Sequence, residues 1–460
     1  MIPPPRPHAV LPGRLLMVGT GCVAAAVLPL IWRHIGAARG QVSLLGPDPA
    51  GQALAHRHGI VWHGCALSRD NHRSELARHL RAGDVLLNLS LGVGSLDLLA
   101  WCQQHGVLYL DSNLEAWADR PHTLAAARVQ ALARRGRTTA VLSHGANPGL
   151  VSQLLKQALE NLAPDAATWP DAARRLGLRV LQVAEFDSQT APAREPARAP
   201  GRDDGRREFA NTWSAAGLAG ELCAPAELAW GAHEAAPPAA SVVLDSARGL
   251  AVQLAAAGVA TRVASWSPGA GPCAAWLLAH YETMAMADLL SDPHAGIPVR
   301  PTVFYALRPC PAAGAAAARL ARASCPPDWH YRVMQDELSA GGIDLGVLLL
   351  GDRVGHWYGS RLALDAARRC APDNNATTLQ VAAGVLGALV WALEHPQRGV
   401  VEAEDMDHRR VLDVAAPYLG ELTGIDTAWR PVSSGPLRYE HFVLRDGDGR
   451  MPGPGGGAQV

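Results

Sequence analysis

The chain has 460 residues, 48% hydrophobic and 18% charged, a globular balance with enough apolar material for two or three domains. Its formal net charge of −1 gives no electrostatic basis for nucleic acid or an anionic membrane surface as partner. Lys156 is the single lysine, so a Schiff-base mechanism could run only through it. The eight cysteines (Cys22, Cys65, Cys102, Cys223, Cys273, Cys310, Cys325 and Cys370) form neither C-x-x-C nor zinc-finger spacing. That pattern predicts reduced, mostly buried thiols in a cytoplasmic protein and no structural metal.

The uncharged run over residues 15–32 has the length of a short membrane helix or a signal peptide, but Gly19 and Gly21 interrupt it. Its first part, Leu15–Val18, is strand-like, which predicts a buried strand, turn and helix, with no membrane partner. Further strands are expected at Val42–Leu45, 85–89, 107–110 and 139–142, and helices at 22–35, 71–81, Ser95–His105 and 123–135. Strands apolar on both faces, alternating with helices, imply a doubly wound parallel α/β domain over residues 1–147.

Gly19-Thr20-Gly21-Cys22-Val23-Ala24 fits G-x-G-x-x-G/A directly after the first strand. The first glycine permits the turn, and the second lets the backbone approach a pyrophosphate seated on the helix N-terminus. The candidate cofactor-binding residues are therefore Gly19, Thr20, Gly21, Cys22, Val23 and Asp48. An acidic residue should close the second strand to hold the ribose hydroxyls, but Gly46 stands there and Asp48 follows two residues later. No arginine beside Gly46 argues for a 2′-phosphate, so NAD is the expected cofactor.

Beyond residue 145, the run from Ser143 to Leu150 predicts a strand end and tight turn opening a helix at 151–162. Asn147 precedes Pro148, which orients its amide. A second, α+β domain is expected over 148–371, with a mobile Pro/Arg-rich loop at 191–208. An alanine-rich helix is expected at 312–323. The segment 377–394 is apolar on nearly all sides, as an interior or interface helix would be. The acids of 402–407 precede the bases of 408–410 in helix-dipole order. Residues 372–425 are expected to return to the first domain, and 446–460 to form a disordered tail.

His144-Gly145-Ala146-Asn147-Pro148-Gly149, Asn211-Thr212-Trp213-Ser214, Pro225-Ala226-Glu227-Leu228 and His233-Glu234 resemble bacterial homospermidine synthase. Trp357-Tyr358-Gly359-Ser360, Asn375-Ala376-Thr377 and Glu404-Asp405-Met406-Asp407 continue the resemblance in family order. It implies a homodimer with a Rossmann domain and a saccharopine dehydrogenase-like second domain. It also implies bound NAD as a reversible hydride carrier and a diamine or polyamine substrate, putrescine, joined to a second amine with release of ammonia.

The resemblance maps the family's carboxylate positions onto Glu185 and Glu221 and its cation-binding tryptophan onto Trp213, and Asn147 and His280 join them as catalytic candidates on their chemistry. Carboxylates and an indole face suit a substrate cationic at both ends. An amide suits a neutral amine, and a histidine can move protons at neutral pH. Two departures stand on the nucleotide side: Gly46, and Gly92 in Ser90-Leu91-Gly92-Val93-Gly94, where the family carries polar residues. They leave open a net saccharopine or carboxynorspermidine dehydrogenase, and a scaffold that has lost activity.

Overall fold

The computed structural model describes residues 7–192, 207–245, 249–292, 299–321, 329–432 and 435–445. The chain divides into two compact units, one of residues 1–153 with 378–419 and one of 154–377 with 420–460. Both internal divisions fall inside helices, Leu150–Leu162 and Ala376–Glu394.

The first unit is built on a seven-stranded sheet, parallel throughout. The strands run in the order Val400–Val401, Ala140–Val141, Leu108–Asp111, Val85–Asn88, Leu15–Val18, Val42–Leu45 and Val61–His63. Leu15, Leu16, Met17 and Val18 are all buried, as a strand covered on both faces requires. The helix Cys22–His34 follows at once and buries Ala24, Val27, Leu28 and Ile31, so the apolar run is a strand–turn–helix of a core.

The helix Ala50–His58 and the strand Val61–His63 were not legible in the sequence. The helix is short and ends in His-Arg-His, and the strand is a half-exposed sheet edge, so neither carries an apolar period. Gly59, at φ +65°, ends the helix in the left-handed conformation that glycine accepts without strain.

Ala376–Glu394 is long and apolar enough to cross a membrane, but 89% of its apolar window is buried inside the protein. A methyl group at Gly384 would overlap the Gly145 carbonyl oxygen, so this helix lies directly against the 143–149 turn. The 402–410 segment is not one helix. A short 3₁₀ turn, Ala403–Asp405, stops before Asp407, whose carboxylate accepts from Arg409 N (3.0 Å) and starts the helix His408–Ala415. Glu402 instead forms a buried two-pronged ion pair with Arg128, at 2.7 and 2.8 Å.

The second unit carries a ten-stranded mixed sheet. Leu178–Asp187 lies in its middle, parallel to Thr302–Arg308 on one side and antiparallel to Gly342–Gly351 on the other. Gly355–Ala363 and Glu421–Asp426 extend the sheet beyond Gly342–Gly351. Residues 421–425, expected with the C-terminal helices of the first domain, are thus an edge strand of this sheet. Val180, Ala184, Phe304, Ala306, Leu348 and Trp357 enter one apolar core. By strand alternation, Glu185 and Tyr305 leave the opposite face.

A separate parallel pair, Arg207–Asn211 with Trp329–Val333, gives Glu208 a place in a strand, and Glu208 binds Arg332 at 2.7 Å. The loop expected over 191–208 therefore ends before residue 207, and its part at 193–206 lies outside the described residues. The alanine-rich helix is Pro311–Leu320, and the tail at 446–460 also lies outside the described residues. Cys22, Cys65, Cys102, Cys273, Cys310 and Cys370 are free thiols, whereas Cys223 is disulfide-bonded, against the expectation of reduced cysteines throughout. Spacing along the chain carries no information on which residues the tertiary fold brings into bonding distance.

Candidate active site

In the first unit the glycine motif sits where strand order reverses, between Leu15–Val18 and Val85–Asn88, the position at which doubly wound sheets open a ligand crevice. Gly19 has φ +100°, and a methyl group there would stand 2.7 Å from the Leu89 carbonyl. Both facts restrict the position to glycine. Gly21 precedes the helix, and a methyl group there would meet nothing within 4 Å. The helix N-terminus has no side-chain cap and no acid in its first turn, leaving its N–H groups to an anion. Burial pushes the Cys22 thiol up to about 11, so it stays protonated beside this turn.

The missing acid at Gly46 has a local counterpart. A Cβ at Gly46 would lie 3.2 Å from the Thr20 methyl and 3.3 Å from its hydroxyl, so Thr20 fills that side of the turn. Asp48 is exposed, and its Oδ1 accepts from Ala50 N at 2.9 Å, bracing the next helix. On the other side of the crevice, Gly92 N donates to Glu115 Oε2 (3.1 Å), and Asn113 Nδ2 donates to Glu115 Oε1 (2.9 Å). The segment that lost polar side chains at 90–94 thus borrows a carboxylate from 115, which the sequence reading missed.

Asn147 is half-buried, and its bond to Pro148 is cis. The turn before it is anchored by Asp111, which accepts from Ser143 N and from the Tyr109 hydroxyl, both at 2.6 Å. Burial outweighs those hydrogen bonds and pushes Asp111 up to about 7.

In the second unit the structure gathers Glu185, Glu221 and His280, three of the positions expected from the sequence. Tyr305 donates its hydroxyl to Glu185 Oε2 at 2.6 Å, and its ring lies 4.0 Å from the His280 ring. His280 stands between two carboxylates, Nδ1 3.1 Å from Glu282 Oε1 and Nε2 3.6 Å from Glu221 Oε2. Burial pulls its pKa down, but Glu282 and Glu221 outweigh burial and push it up to about 10. His280 is therefore an imidazolium at neutral pH, where a freely exchanging proton mover would sit near 7. Glu221 Oε2 and Glu282 Oε2 are both buried without a hydrogen-bond partner, so the cluster has acceptor capacity left for a cation.

Trp213 is half-buried just before the helix Ala215–Cys223, whose N-cap Ser214 accepts from Gly217 N. The indole edge abuts Gly217, and Glu221 follows one turn later, so residues 213, 217 and 221 run along one helix face. The residue before Trp213 is held on two sides. Thr212 donates its hydroxyl to Asp187 Oδ2 (2.6 Å), and Asn375 Nδ2 donates to the Thr212 carbonyl (2.6 Å). Gln189 and Thr377 also donate to Asp187, whose carboxyl burial pushes upward despite these bonds. We expect Thr212→Val to cost about 1–3 kcal/mol of stability by leaving Asp187 short of a donor, and to alter Trp213 fluorescence. Denaturant unfolding read by tryptophan emission checks both, and an unchanged midpoint and spectrum would remove this role.

Sequence reasoning did not find Tyr305 or Glu282. Glu282 lies only two residues from His280, but nothing in the linear sequence turns its carboxylate back. Tyr305 reaches Glu185 through sheet register, 120 residues away. Among the described residues, no group of three or more His, Cys, Asp or Glu is placed to hold a metal.

Comparison with known proteins bears on the family and the fold. Residues 15–141 match the saccharopine dehydrogenase NADP binding domain, and residues 145–426 match the saccharopine dehydrogenase C-terminal domain. The chain is 37% identical to a homospermidine synthase of Blastochloris viridis, over 94% of this chain and 98% of that protein. It is 34% identical to a homospermidine synthase of Mesorhizobium japonicum, over 93% of each. The crystal structure of a Legionella pneumophila homospermidine synthase in complex with NAD superposes with a TM-score of 0.84 at 34% identity, covering 95% of this chain and 98% of that one. With a Rossmann unit, a saccharopine dehydrogenase-type second unit and this likeness over nearly its whole length, the chain belongs to the homospermidine synthase family.

Proposed function

We propose that this chain joins two putrescine molecules, or putrescine and a related polyamine, into homospermidine with release of ammonia. The observation that carries the reading is the Glu185–Tyr305–His280–Glu221–Glu282 cluster, buried except for the half-buried Glu221, with the Glu282 Oε2 left without a hydrogen-bond partner and no nucleophile. Buried carboxylates with spare acceptor capacity select a cation, and a diamine is cationic at both ends.

The residues around the glycine turn fit a dinucleotide. Gly19 permits the turn against Leu89, Gly21 leaves open space for a pyrophosphate, and the first turn of the helix from Cys22 supplies N–H groups; Thr20 and Asp48 would face the ribose. Held there, NAD would supply reversible hydride chemistry, with no net redox change over the reaction.

The chain's own groups do the rest. Tyr305 aims the Glu185 carboxylate by donating its hydroxyl to it. Glu221 and Glu282 hold positive charge, supplied by His280 and by the substrate ammonium. Trp213 offers a π-face to a cationic amine or iminium without attacking it. The Asn147 amide would hydrogen-bond a neutral amine. Exclusion of water from the imine, needed so that the second amine and not water adds to it, fits the burial of Glu185, His280 and Glu282.

Mass spectrometry of the amines formed from putrescine and NAD tests the reading. Homospermidine and ammonia in equal amounts, with no growth of nicotinamide absorbance, are expected. Absorbance growing in step with amine consumed would overturn it in favour of a net dehydrogenase, and no turnover would favour the inactive scaffold. The same reading makes the enzyme a cytoplasmic homodimer, to be checked by light scattering against the 48.5 kDa chain and by cell fractionation.

A further inference from the structure

A pocket of the second unit, about 330 Å³ in volume, is lined by Phe186, Arg262, Trp276, Arg308 and the first turn of the helix Pro311–Leu320. Glu185, Tyr305, His280 and Glu221 are not among its lining residues. Its chemistry is the reverse of the carboxylate cluster's. The Arg262 guanidinium lies over the Trp276 ring at 4.4 Å, and the Arg308 guanidinium over the Phe186 ring at 5.0 Å.

Each aromatic face holds one flat side of its guanidinium, which leaves the N–H edges for another partner. Among the described residues neither arginine makes an ion pair, and Arg262 Nε is buried without a hydrogen-bond acceptor. Arg308 also approaches the buried Cys273 thiol, whose pKa burial pushes up despite the charge of Arg308.

Two unpaired guanidiniums facing one space repel each other. Burial and the charge of Arg308 both hold Arg262 below its ordinary pKa. The positive end of the Pro311–Leu320 helix dipole adds to this potential. The carboxylate on the pocket margin, Asp187, makes no ion pair with either arginine: its oxygens accept from Thr212, Gln189 and Thr377, and burial pushes its pKa upward, toward the neutral acid. A cationic amine is repelled here, and an oxyanion meets two forked donors.

We infer that the Arg262–Arg308 pocket is a binding site for a small oxyanion, carboxylate or phosphate, separate from the amine cluster. Arg-rich, aromatic-walled pockets recognise such groups by paired N–H···O bonds, which a compact ammonium cannot supply.

The test uses the whole protein saturated with NAD, so that the glycine turn is already occupied. Inorganic phosphate and succinate are titrated calorimetrically at constant ionic strength without amine. Saturable binding of at least one probe is expected, weakened tenfold or more in Arg262→Gln and in Arg308→Gln. Arg179→Gln, which removes the exposed ion pair with Asp352, should bind as the unaltered protein does. Phosphate binding alone would identify a phosphate site, and succinate alone a carboxylate site. Because Arg308 is exposed, Arg308→Gln should keep the melting temperature, so that a loss of binding there reports on the site. Absence of saturable binding with both probes overturns the inference. So does binding that survives in the doubly substituted protein.

Discussion

Alanine in place of Gly19 should reduce NAD affinity by roughly 100-fold and lower stability as well, while Gly21→Ala should reduce affinity and leave stability nearly unchanged. The first substitution places a side chain at φ +100° and drives its methyl to 2.7 Å from the Leu89 carbonyl carbon and oxygen. Holding a non-glycine residue in that region costs about 1–3 kcal/mol, and the Leu89 backbone must move as well. That movement displaces the strand end lining the crevice, and a loss of about 2.7 kcal/mol corresponds to 100-fold in affinity. At Gly21 the added methyl meets nothing within 4 Å, so the fold accepts it. It then occupies the space that a pyrophosphate needs over the helix N-terminus. Calorimetric titration with NAD, beside urea unfolding of the same variants, separates the two. Unchanged affinity in both proteins would place the cofactor elsewhere.

The His280 cluster should make stability depend on pH in a direction opposite to that of most carboxylate pairs. Its pKa is raised from the ordinary 6.5 to about 10, the burial penalty being outweighed by Glu282 and Glu221. Since the folded value lies above the unfolded one, the stabilisation is fully present below about pH 6.5 and is lost as pH rises through about 10. The stability gap between the unaltered protein and His280→Gln should therefore be largest at pH 6 and shrink toward pH 10.

Glu282→Gln removes the nearer counter-charge of a buried pair, for which about 3–5 kcal/mol is the usual cost. It should also move the loss of stabilisation to lower pH, since Glu221, at 3.6 Å, would be left to hold the imidazolium alone. Denaturant unfolding at pH 6, 8 and 10 measures all of this. A gap that stays constant across that range would show that His280 is neutral in the folded protein and that the two carboxylates do not govern it.

The sequence by itself determined the doubly wound unit, because its central strands are covered on both faces and so read as short, nearly continuous apolar runs alternating with helices. Leu15–Val18 and Val42–Leu45 could be placed to the residue for that reason, and the Ser95–His105 helix between two such strands. The glycine turn was legible too, since its physics is local: one backbone conformation and one close approach. Trp213, Glu185, Glu221 and His280 were reached through motif resemblance, not through any period in the chain. Their individual settings (Glu185 after an alanine, Glu221 in a glycine-rich helix) read as ordinary.

Only the tertiary structure decided what those residues do to one another. Sheet register sets Tyr305 on the same face as Glu185, and a chain reversal after residue 278 brings His280 and Glu282 to Glu221. The charge on His280 follows from that gathering, because two carboxylates within 4 Å in a buried site outweigh the burial that would discharge a lone imidazole. The same holds for Thr20 beside Gly46, Glu115 beneath Gly92, and Arg262 facing Arg308. In each pair the partners are distant along the chain, and electrostatic and steric interactions depend on separation in space, which hydrophobic periodicity does not encode.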